Sequence, residues 1–397
     1  MTTYLNDIGI TNALGNNKNQ VATGLLSGDQ SSLKVYDKLY SKKQTFIGQA
    51  NILKKIALSE EYPKYDTQNN QFIAQAYEQI RSKVSDLKNK YGSNRIGIVL
   101  GTSTSGIASG EGAWKEYKKT GLFPDDFYYQ HQEVSSGSEF LSEYAGIKGL
   151  HYTISTACSS SGKAIAAADR LIKSGLCDAV ITGGSDALCE MTLNGFDALE
   201  LVSSTTSNPF SKNRCGLNIG EGAALLVLSK EKSEIKLSGT GESSDGYHIS
   251  SPDPTGMGGK SAMQHALHSA NLTTKDIGYI NLHGTATPKN DEVEATMVNN
   301  FFGKQVPCSS TKALTGHTLG AASAHELAFC WLLLSEKYNP NRLLPKQIWD
   351  GKFDPNIPPI NIINEETQWQ KCAFMSNSFA FGGSNVSLVI EKAEKGI

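Results

Sequence analysis

The feature that most constrains the fold is an alternation of apolar strands with helices, which occurs twice along the chain. β-branched and aliphatic segments at Arg95–Leu100, Ala179–Thr182 and Ala223–Leu228 indicate buried strands, and glycine-rich or serine-rich turns are predicted after the first two. A second set follows the charged stretch Lys230–Lys236. It begins with a strand at IKLSGTG and ends with a strand at Val386–Ile390. This alternation predicts an α/β layered fold.

Two helical segments match each other across the chain. They are ACSSSGKAIAAADRLIKSG, which opens at Ala157, and GHTLGAASAHELAFCWLLLSE, which opens at Gly316. Each has small residues in its first turns and bulky residues later, so we expect two central helices in close contact. A chain of 397 residues exceeds the roughly 250 to 300 at which single cores stop growing. We therefore predict two duplicated halves, residues 1–235 with a nucleophile and residues 236–397 with catalytic histidines.

The composition excludes several function classes. A formal net charge of −2 gives no basic excess for nucleic acid, and the longest apolar run, Leu327–Leu334, cannot span a bilayer. The N-terminal residues lack the basic and apolar regions of a signal peptide, so we expect a cytoplasmic protein without membrane insertion. The seven cysteines lie far apart without a Cys-x-x-Cys pair, which favours neither a disulfide framework nor a zinc site.

Cys158 is the candidate nucleophile. It follows the strand-like Tyr152-Thr-Ile-Ser and opens a predicted helix inside Thr156-Ala-Cys-Ser-Ser-Ser-Gly. The positive end of a helix dipole and unpaired N–H groups favour a thiolate at such a position. Most cysteines are small buried hydrophobes, but the small polar residues around this thiol leave space for a reacting group. We therefore predict a reactive cysteine.

Two histidines stand beside glycines at the ends of predicted elements. His283 closes an apolar strand and opens His-Gly-Thr-Ala-Thr-Pro, where glycine allows close approach of a ligand and Thr285 and Thr287 supply hydroxyls. His317 lies at a predicted helix start. Its neighbour Lys312 is a solvated charge or pairs with Glu326, nine residues after His317 on the same predicted helix. A lone histidine is more often structural, and the other six histidines are assigned structural or surface roles.

A loop near the C terminus, Asn377-Ser-Phe-Ala-Phe-Gly-Gly-Ser-Asn, joins two aromatic residues to a glycine pair just before the last strand. Backbone in such a loop can approach a ligand closely. A plain turn with core aromatics is the alternative interpretation.

These four segments together resemble the elongating β-ketoacyl-acyl-carrier-protein synthases of the thiolase superfamily, over nearly the whole chain. Further matches lie at the opening Ile8-Gly-Ile-Thr-Asn-Ala-Leu-Gly, at Asn208-Pro-Phe-Ser-Lys-Asn-Arg-Cys-Gly, at Gly220-Glu-Gly-Ala and at Ser244-Asp-Gly-Tyr-His-Ile-Ser-Ser-Pro. The resemblance implies a thiolase-like fold, in which two βαβαβαββ halves form a five-layered α-β-α-β-α sandwich. It implies an acyltransferase that joins an acyl group to a malonyl group with loss of carbon dioxide.

The resemblance also implies residue roles. Cys158 would carry the acyl group, and the backbone N–H groups of Cys158 and Phe381 would form the oxyanion hole. His283 and His317 would bind the malonyl thioester carbonyl, with Lys312 paired to Glu326 and acting on them electrostatically. The remaining expected contacts to substrate are Thr285 and Thr287 on the phosphopantetheine arm, the gating aromatics Phe379 and Phe381, and Ser250. No metal or redox cofactor is expected, because phosphopantetheine arrives on the carrier-protein substrate.

Three other classes of protein share parts of this pattern. A thiolase needs a second catalytic cysteine in its C-terminal loop, where this chain has Phe381-Gly-Gly-Ser. A non-catalytic chain-length factor lacks the nucleophile, and a Cys-His-Asn hydrolase needs only one such histidine.

The expected partners are an acyl carrier protein and a second subunit. Asn208 and Thr67-Gln-Asn-Asn-Gln-Phe stand where many family members have basic docking residues. The resemblance implies a dimer, either a homodimer or a heterodimer with a chain-length-factor-like homologue, and this departure suggests that a partner subunit supplies part of the docking surface. Pro288-Lys-Asn-Asp and Cys308-Ser-Ser-Thr-Lys resemble the synthases of bacterial aryl polyene pigments.

Overall fold

The computed structural model describes residues 1–52 and 55–393. The helices are α1 Lys18–Ser27, α2 Leu58–Glu61, α3 Gln68–Glu78, α4 Arg81–Tyr91, α5 Ile107–Thr120, α6 Ser136–Ala145, α7 Ser160–Lys173, α8 Glu190–Ala198, α9 Met257–Ala270, α10 Pro288–Phe302, α11 Lys312–Thr315 and α12 Ala322–Leu334. The strands are β1 Thr3–Thr11, β2 Leu33–Tyr36, β3 Thr45–Gly48, β4 Ile96–Gly101, β5 His151–Ile154, β6 Ala179–Asp186, β7 Ile219–Gly220, β8 Gly222–Ser229, β9 Ile235–Ser244, β10 Ile277–Asn281, β11 Cys308–Ser309, β12 Ala373–Ala380 and β13 Ser384–Lys392. Short 3₁₀ turns lie at Pro63–Tyr65, Ser93–Arg95, Tyr129–Gln132, Leu319–Ala321 and Phe381–Gly383.

Ten strands form one continuous sheet in the order β11-β10-β12-β13-β9-β1-β8-β6-β4-β5. In chain order, the strands that the N-terminal half contributes to this sheet are β1, β4, β5, β6 and β8. Outward from the centre of the sheet they lie in the order β1, β8, β6, β4 and β5, which is first, fifth, fourth, second and third. The C-terminal half repeats this order with β9, β13, β12, β10 and β11. The halves join where β1 and β9 pair antiparallel, with Thr3 opposite Leu237. Equal strand orders on both sides of this seam are the pattern that duplicated halves produce.

Helices α7 and α12 form the layer between the halves. α7 packs mainly on β4 and β6, and α12 packs on β8 and β12. The small residues of their first turns permit close contact: a Cβ added to Gly162 would lie 2.8 Å from Ser323 Oγ, and the Ala324 N–H donates to Ser161 Oγ at 3.0 Å. The expected contact between two central helices is therefore confirmed. No helix in the described ranges is long and apolar enough to cross a membrane.

Most of the predicted elements are present, and two local predictions are wrong. The sequence GGSDA was expected to form a turn after Thr182, but β6 continues through it to Asp186 because its backbone pairs with β4 and β8 on both sides. His317 was expected at a helix start shared with Glu326. Instead it lies between α11 and α12, where its backbone pairs with Asn218 and Gly220.

Candidate active site

Cys158 lies between β5 and α7, and its side chain is only 6% exposed. It follows Ala157, which adopts a left-handed backbone conformation (φ 52°) that is uncommon for residues other than glycine. Burial raises the pKa of the thiol to about 11, and the Lys312 charge and the backbone N–H groups of Phe381 and Cys158 only partly offset it. Burial therefore opposes the thiolate that the backbone N–H groups and the Lys312 charge favour. Both N–H groups lie next to the sulfur. An oxyanion hole at Cys158 and Phe381 would use them on the carbonyl oxygen of an acyl group bound to that sulfur.

His317 and His283 complete a buried group around the thiol. His317 Nε2 lies 3.0 Å from Cys158 Sγ, and the two imidazole rings meet edge to face with centroids 5.4 Å apart. Burial lowers the pKa of both rings well below the usual range, and the nearby Lys312 charge lowers it further. Both rings are therefore neutral near pH 7. A neutral ring can donate one N–H to a substrate oxygen or accept a proton on its free nitrogen.

The glycines beside the histidines serve protein packing. A Cβ on Gly284 would meet Ser310 Cβ at 2.5 Å, and one on Gly316 would meet the Gly220 backbone nitrogen at 2.8 Å. Both positions therefore require glycine because of contacts within the protein.

Lys312 and Glu326 form the predicted ion pair, and both side chains are only 3% exposed. Lys312 also donates to the backbone carbonyl of His283. The pair joins α11 to α12 across the loop that contains His317. Burial raises the pKa of Glu326 to about 7, an effect that the Lys312 charge opposes. The solvated alternative for Lys312 is excluded.

Two buried carboxylates that the sequence interpretation missed hold the loops of the site. Glu294 on α10 accepts from the N–H groups of His283 and Gly284 at 2.8 and 2.7 Å. Asp186, at the end of β6, accepts from the backbone of Ser103 and Ala321, which belong to different halves. For Asp186 the available signal was a charged residue at the end of an apolar strand, since a buried carboxylate needs partners. Glu294 stands close to Asp291 and Glu292, so its segment gave no such signal.

A cavity of about 420 Å³ leads from Cys158 to solvent. It is lined by all five remaining predicted contacts: Thr285, Thr287, Phe379, Phe381 and Ser250. The hydroxyls of Thr285 and Thr287 lie 2.8 Å apart.

Two lining residues, Phe196 and Lys289, were absent from the predicted site. Phe196 packs on Phe381 with ring centroids 5.5 Å apart. It lies on a helix without a motif, so only the fold brings it to the gate. Lys289 belongs to the Pro288-Lys-Asn-Asp segment, which the sequence interpretation noted only as a likeness.

Cys158, His283 and His317 also form a potential metal site. Their donor atoms all lie within 4.8 Å of one another. One sulfur and two imidazole nitrogens are ligands that zinc accepts.

Comparisons with known proteins agree with this geometry. The family descriptions "Beta-ketoacyl synthase, N-terminal domain" and "Beta-ketoacyl synthase, C-terminal domain" match residues 8–234 and 235–344. The 3-oxoacyl-[acyl-carrier-protein] synthase 2 of Staphylococcus aureus (strain COL) is 33% identical over 345 residues, which cover 81% of each chain.

Two solved structures share the fold over nearly the whole chain. A ketosynthase from Xenorhabdus doucetiae, solved in complex with its chain length factor, is 40% identical with a TM-score of 0.94, and the match covers 99% of this chain and 98% of that one. A β-ketoacyl synthase from Burkholderia phymatum STM815 is 25% identical with a TM-score of 0.89, over 99% and 100% of the two chains.

Proposed function

The chain belongs to the β-ketoacyl synthase family, and from that premise we propose that it condenses an acyl group held on Cys158 with a malonyl group held on an acyl carrier protein. The observation that carries the proposal is the buried group of one thiol and two neutral imidazoles, with Cys158 Sγ 3.0 Å from His317 Nε2. Membership in the family alone does not require an active nucleophile, whereas this geometry supplies one.

In the loading step, the Cys158 sulfur attacks the carbonyl carbon of an acyl thioester. Because the pKa of the thiol is raised to about 11, its proton must leave as the new C–S bond forms, and His317 Nε2 is in place to accept it. The oxyanion is bound by the backbone N–H groups of Cys158 and Phe381. The C–S bond to the carrier arm then breaks, and the proton leaves with the carrier thiol. The products are acyl-Cys158 and a free carrier.

In the condensation step, the malonyl thioester carbonyl accepts N–H groups from His283 and His317. For this step the neutral His317 ring carries its one proton on Nε2, whereas in loading Nε2 is the free nitrogen, so the ring changes tautomer between the two steps. These donors stabilise the enolate that forms as the C–C bond to the carboxylate breaks and carbon dioxide departs. The enolate carbon attacks the acyl-Cys158 carbonyl, and the C–S bond to Cys158 breaks. The products are a β-ketoacyl carrier, two carbons longer than the acyl group, and a Cys158 thiolate that takes up one proton. Neutral rings suit this step, because a charged imidazolium would be unfavourable in a site from which water is excluded.

The other residues position the reactants. Lys312, held by Glu326, fixes the His283 carbonyl, and its charge adds to burial in keeping both imidazoles neutral. Thr285 and Thr287 bind the amides of the phosphopantetheine arm, Ser250 lines its entrance, and Phe379 and Phe381 gate access to the thiol. The scheme uses no metal or redox cofactor, because loss of carbon dioxide drives the C–C bond formation. We place this chemistry in the cytoplasm.

The proposed partners are an acyl carrier protein and a homologous second subunit. A stack of partly exposed aromatic rings runs along α5 and the loop after it, with Trp114, Tyr117, Phe123 and Phe127 at centroid distances of 5.4, 4.7 and 5.6 Å. Exposed apolar patches of this kind mark protein interfaces. The strand β5 ends the sheet and pairs only with β4 among the described strands. A chain-length-factor-like partner is favoured, because the Xenorhabdus doucetiae relative was solved with its chain length factor. An aryl polyene pathway is the proposed context.

The test is acyl loading followed by intact-protein mass spectrometry. Cys158→Gln should lose the acyl adduct and keep or raise decarboxylation of malonyl carrier, because the histidine pair remains. Cys158→Ala is the matched variant, and normal condensation by it would contradict the central assignment. Co-expression with a neighbouring homologue that lacks the cysteine should give a heterodimer by light scattering. A stable, fully active homodimer would count against that partner.

A further inference from the structure

Lys289 is the cation that lines the catalytic cavity within the described part of the chain. It occupies the second position of α10 at the outer end of the cavity, and its side chain is exposed. Its Nζ donates to Ser251 Oγ at 3.3 Å, and Ser251 lines the same cavity. Lys289 therefore connects α10 to the Ser251 loop at the mouth of the cavity, and it places a positive charge on the route from solvent to Cys158.

The segment from the catalytic histidine to Lys289 lies along the cavity. His283, Thr285 and Thr287 line it at alternate positions, whereas Gly284 and Ala286 do not, and the first turn of α10 continues the lining with Pro288 and Lys289. Six residues span at most roughly 20 Å of extended chain. The segment therefore presents a row of contacts that begins at the reacting carbonyl, continues with two hydroxyls and ends with one positive charge.

A pantetheine thioester arm matches this row in its chemistry. It has a thioester at one end, two amides along its length and, when attached to a carrier, one phosphodiester at the other end. We infer that Lys289 binds this phosphodiester and so distinguishes a phosphopantetheine arm from an uncharged pantetheine thioester. The inference rests on the proposed function, because it assigns the outer end of the substrate that the proposed reaction uses.

The neighbouring carboxylates leave the Lys289 charge available. Asp245, which also lines the cavity, accepts from Asn385 Nδ2 at 2.7 Å and from the Asp253 N–H at 3.1 Å. Glu200 lines the cavity on the loop after α8, and Glu292 lies about one helical turn after Lys289 on α10. Neither forms an ion pair with Lys289 in the described ranges. A partly solvated contact between lysine and phosphate contributes up to about 1 kcal/mol, which is about fivefold in a binding constant.

The test compares loading of one short acyl group from pantetheine and from phosphopantetheine, with kcat/KM for acyl-Cys158 formation as the readout. Wild type should prefer the phosphorylated donor, and Lys289→Met should lower kcat/KM for that donor about fivefold while changing the pantetheine value less than twofold. Lys289→Arg should keep the preference. Lys304→Met, at the other end of α10, is the matched control and should behave as wild type. Added salt should reduce the preference in wild type and have no effect on it in Lys289→Met, because screening weakens an exposed charge contact.

Two results would overturn the inference. One is equal loading of wild type from both donors, and the other is an equal loss from both donors in Lys289→Met. Acyl carrier protein and acyl-CoA both have a phosphate at the outer end of the pantetheine arm. The inference therefore requires that Lys289→Met also lower the rate of acyl-Cys158 formation from the better of these two donors. If wild type forms no acyl-Cys158 from any of these donors, the proposed function itself has failed, and that outcome is distinct from a lost preference.

Discussion

Replacement of Lys312 by methionine tests whether the buried ion pair holds the active site together. Both side chains of the pair are 3% exposed, so Lys312→Met leaves the Glu326 carboxyl in an apolar site without its partner. Breaking a buried pair in this way costs about 3 to 5 kcal/mol of unfolding free energy. The assay is urea unfolding at pH 7, followed by the malonyl decarboxylation rate. We expect the loss of stability together with a lower rate, because the contact to the His283 carbonyl is also lost.

The pH dependence gives a second measurement. Burial already raises the pKa of Glu326 to about 7 in the folded protein, above its value in the unfolded chain, and loss of the Lys312 charge raises it further. The folded state then binds a proton that the unfolded state releases, so the stability of Lys312→Met falls as pH rises from about 5 to 8. The penalty relative to wild type should therefore be smaller at pH 5 than at pH 8.

The control is an exposed pair of the same chemistry. Lys64 and Glu143 lie 3.0 Å apart with side chains 44% and 47% exposed, so Lys64→Met should cost less than about 1 kcal/mol. Glu326→Gln combined with Lys312→Met should recover part of the loss, because the buried charge is then absent. The changes in unfolding free energy of the two single variants are summed and compared with the change in the double variant. If the two values agree within about 0.5 kcal/mol, the residues are not coupled and the ion-pair explanation is refuted.

Three further predictions concern the thiol and the central helices. Because burial raises the pKa of Cys158 to about 11, its alkylation by iodoacetamide should accelerate about tenfold per pH unit from pH 7 to 9, and a plateau near pH 7 would contradict this. Zinc should inhibit acyl loading reversibly through Cys158, His283 and His317, whereas EDTA should leave the activity of the purified enzyme unchanged; loss of activity in EDTA would show that the reaction needs a metal. Gly162→Ala should lower the free energy of unfolding by about 1 to 3 kcal/mol, since the added methyl would lie 2.6 Å from Val386 Cγ1. Gly195→Ala on α8 meets no atom within 4 Å and should be neutral or stabilising, so equal effects of the two changes would exclude the packing explanation.

The sequence predicted features that depend on local pattern. Buried strands such as β4 and β8 are recognisable because they are continuous runs of apolar residues, and the small residues around Gly162 and Ser323 indicate helices in contact. Features that depend on partners distant in the chain were missed or misplaced. β6 runs through glycines because both of its neighbours pair with it, and His317 is held in a bridge to Ile219. Phe196 reaches the gate only through the packing of α8.

One physical cause, burial, explains both the thiol and the histidines of this site. The same exclusion of water that keeps His283 and His317 neutral, and so able to donate N–H groups to an enolate, also holds the pKa of Cys158 far above neutrality. Removing water protects the enolate from protonation and strengthens each N–H donor, since both effects follow from a low local dielectric. Loading is then the step at a disadvantage, because it must begin from a protonated thiol. The 3.0 Å contact to His317 addresses that step. Because His317 also donates to the malonyl carbonyl, its replacement by alanine should slow both loading and decarboxylation, whereas replacement of His283 should slow decarboxylation more than loading, as measured by acyl-adduct mass spectrometry and carbon dioxide release.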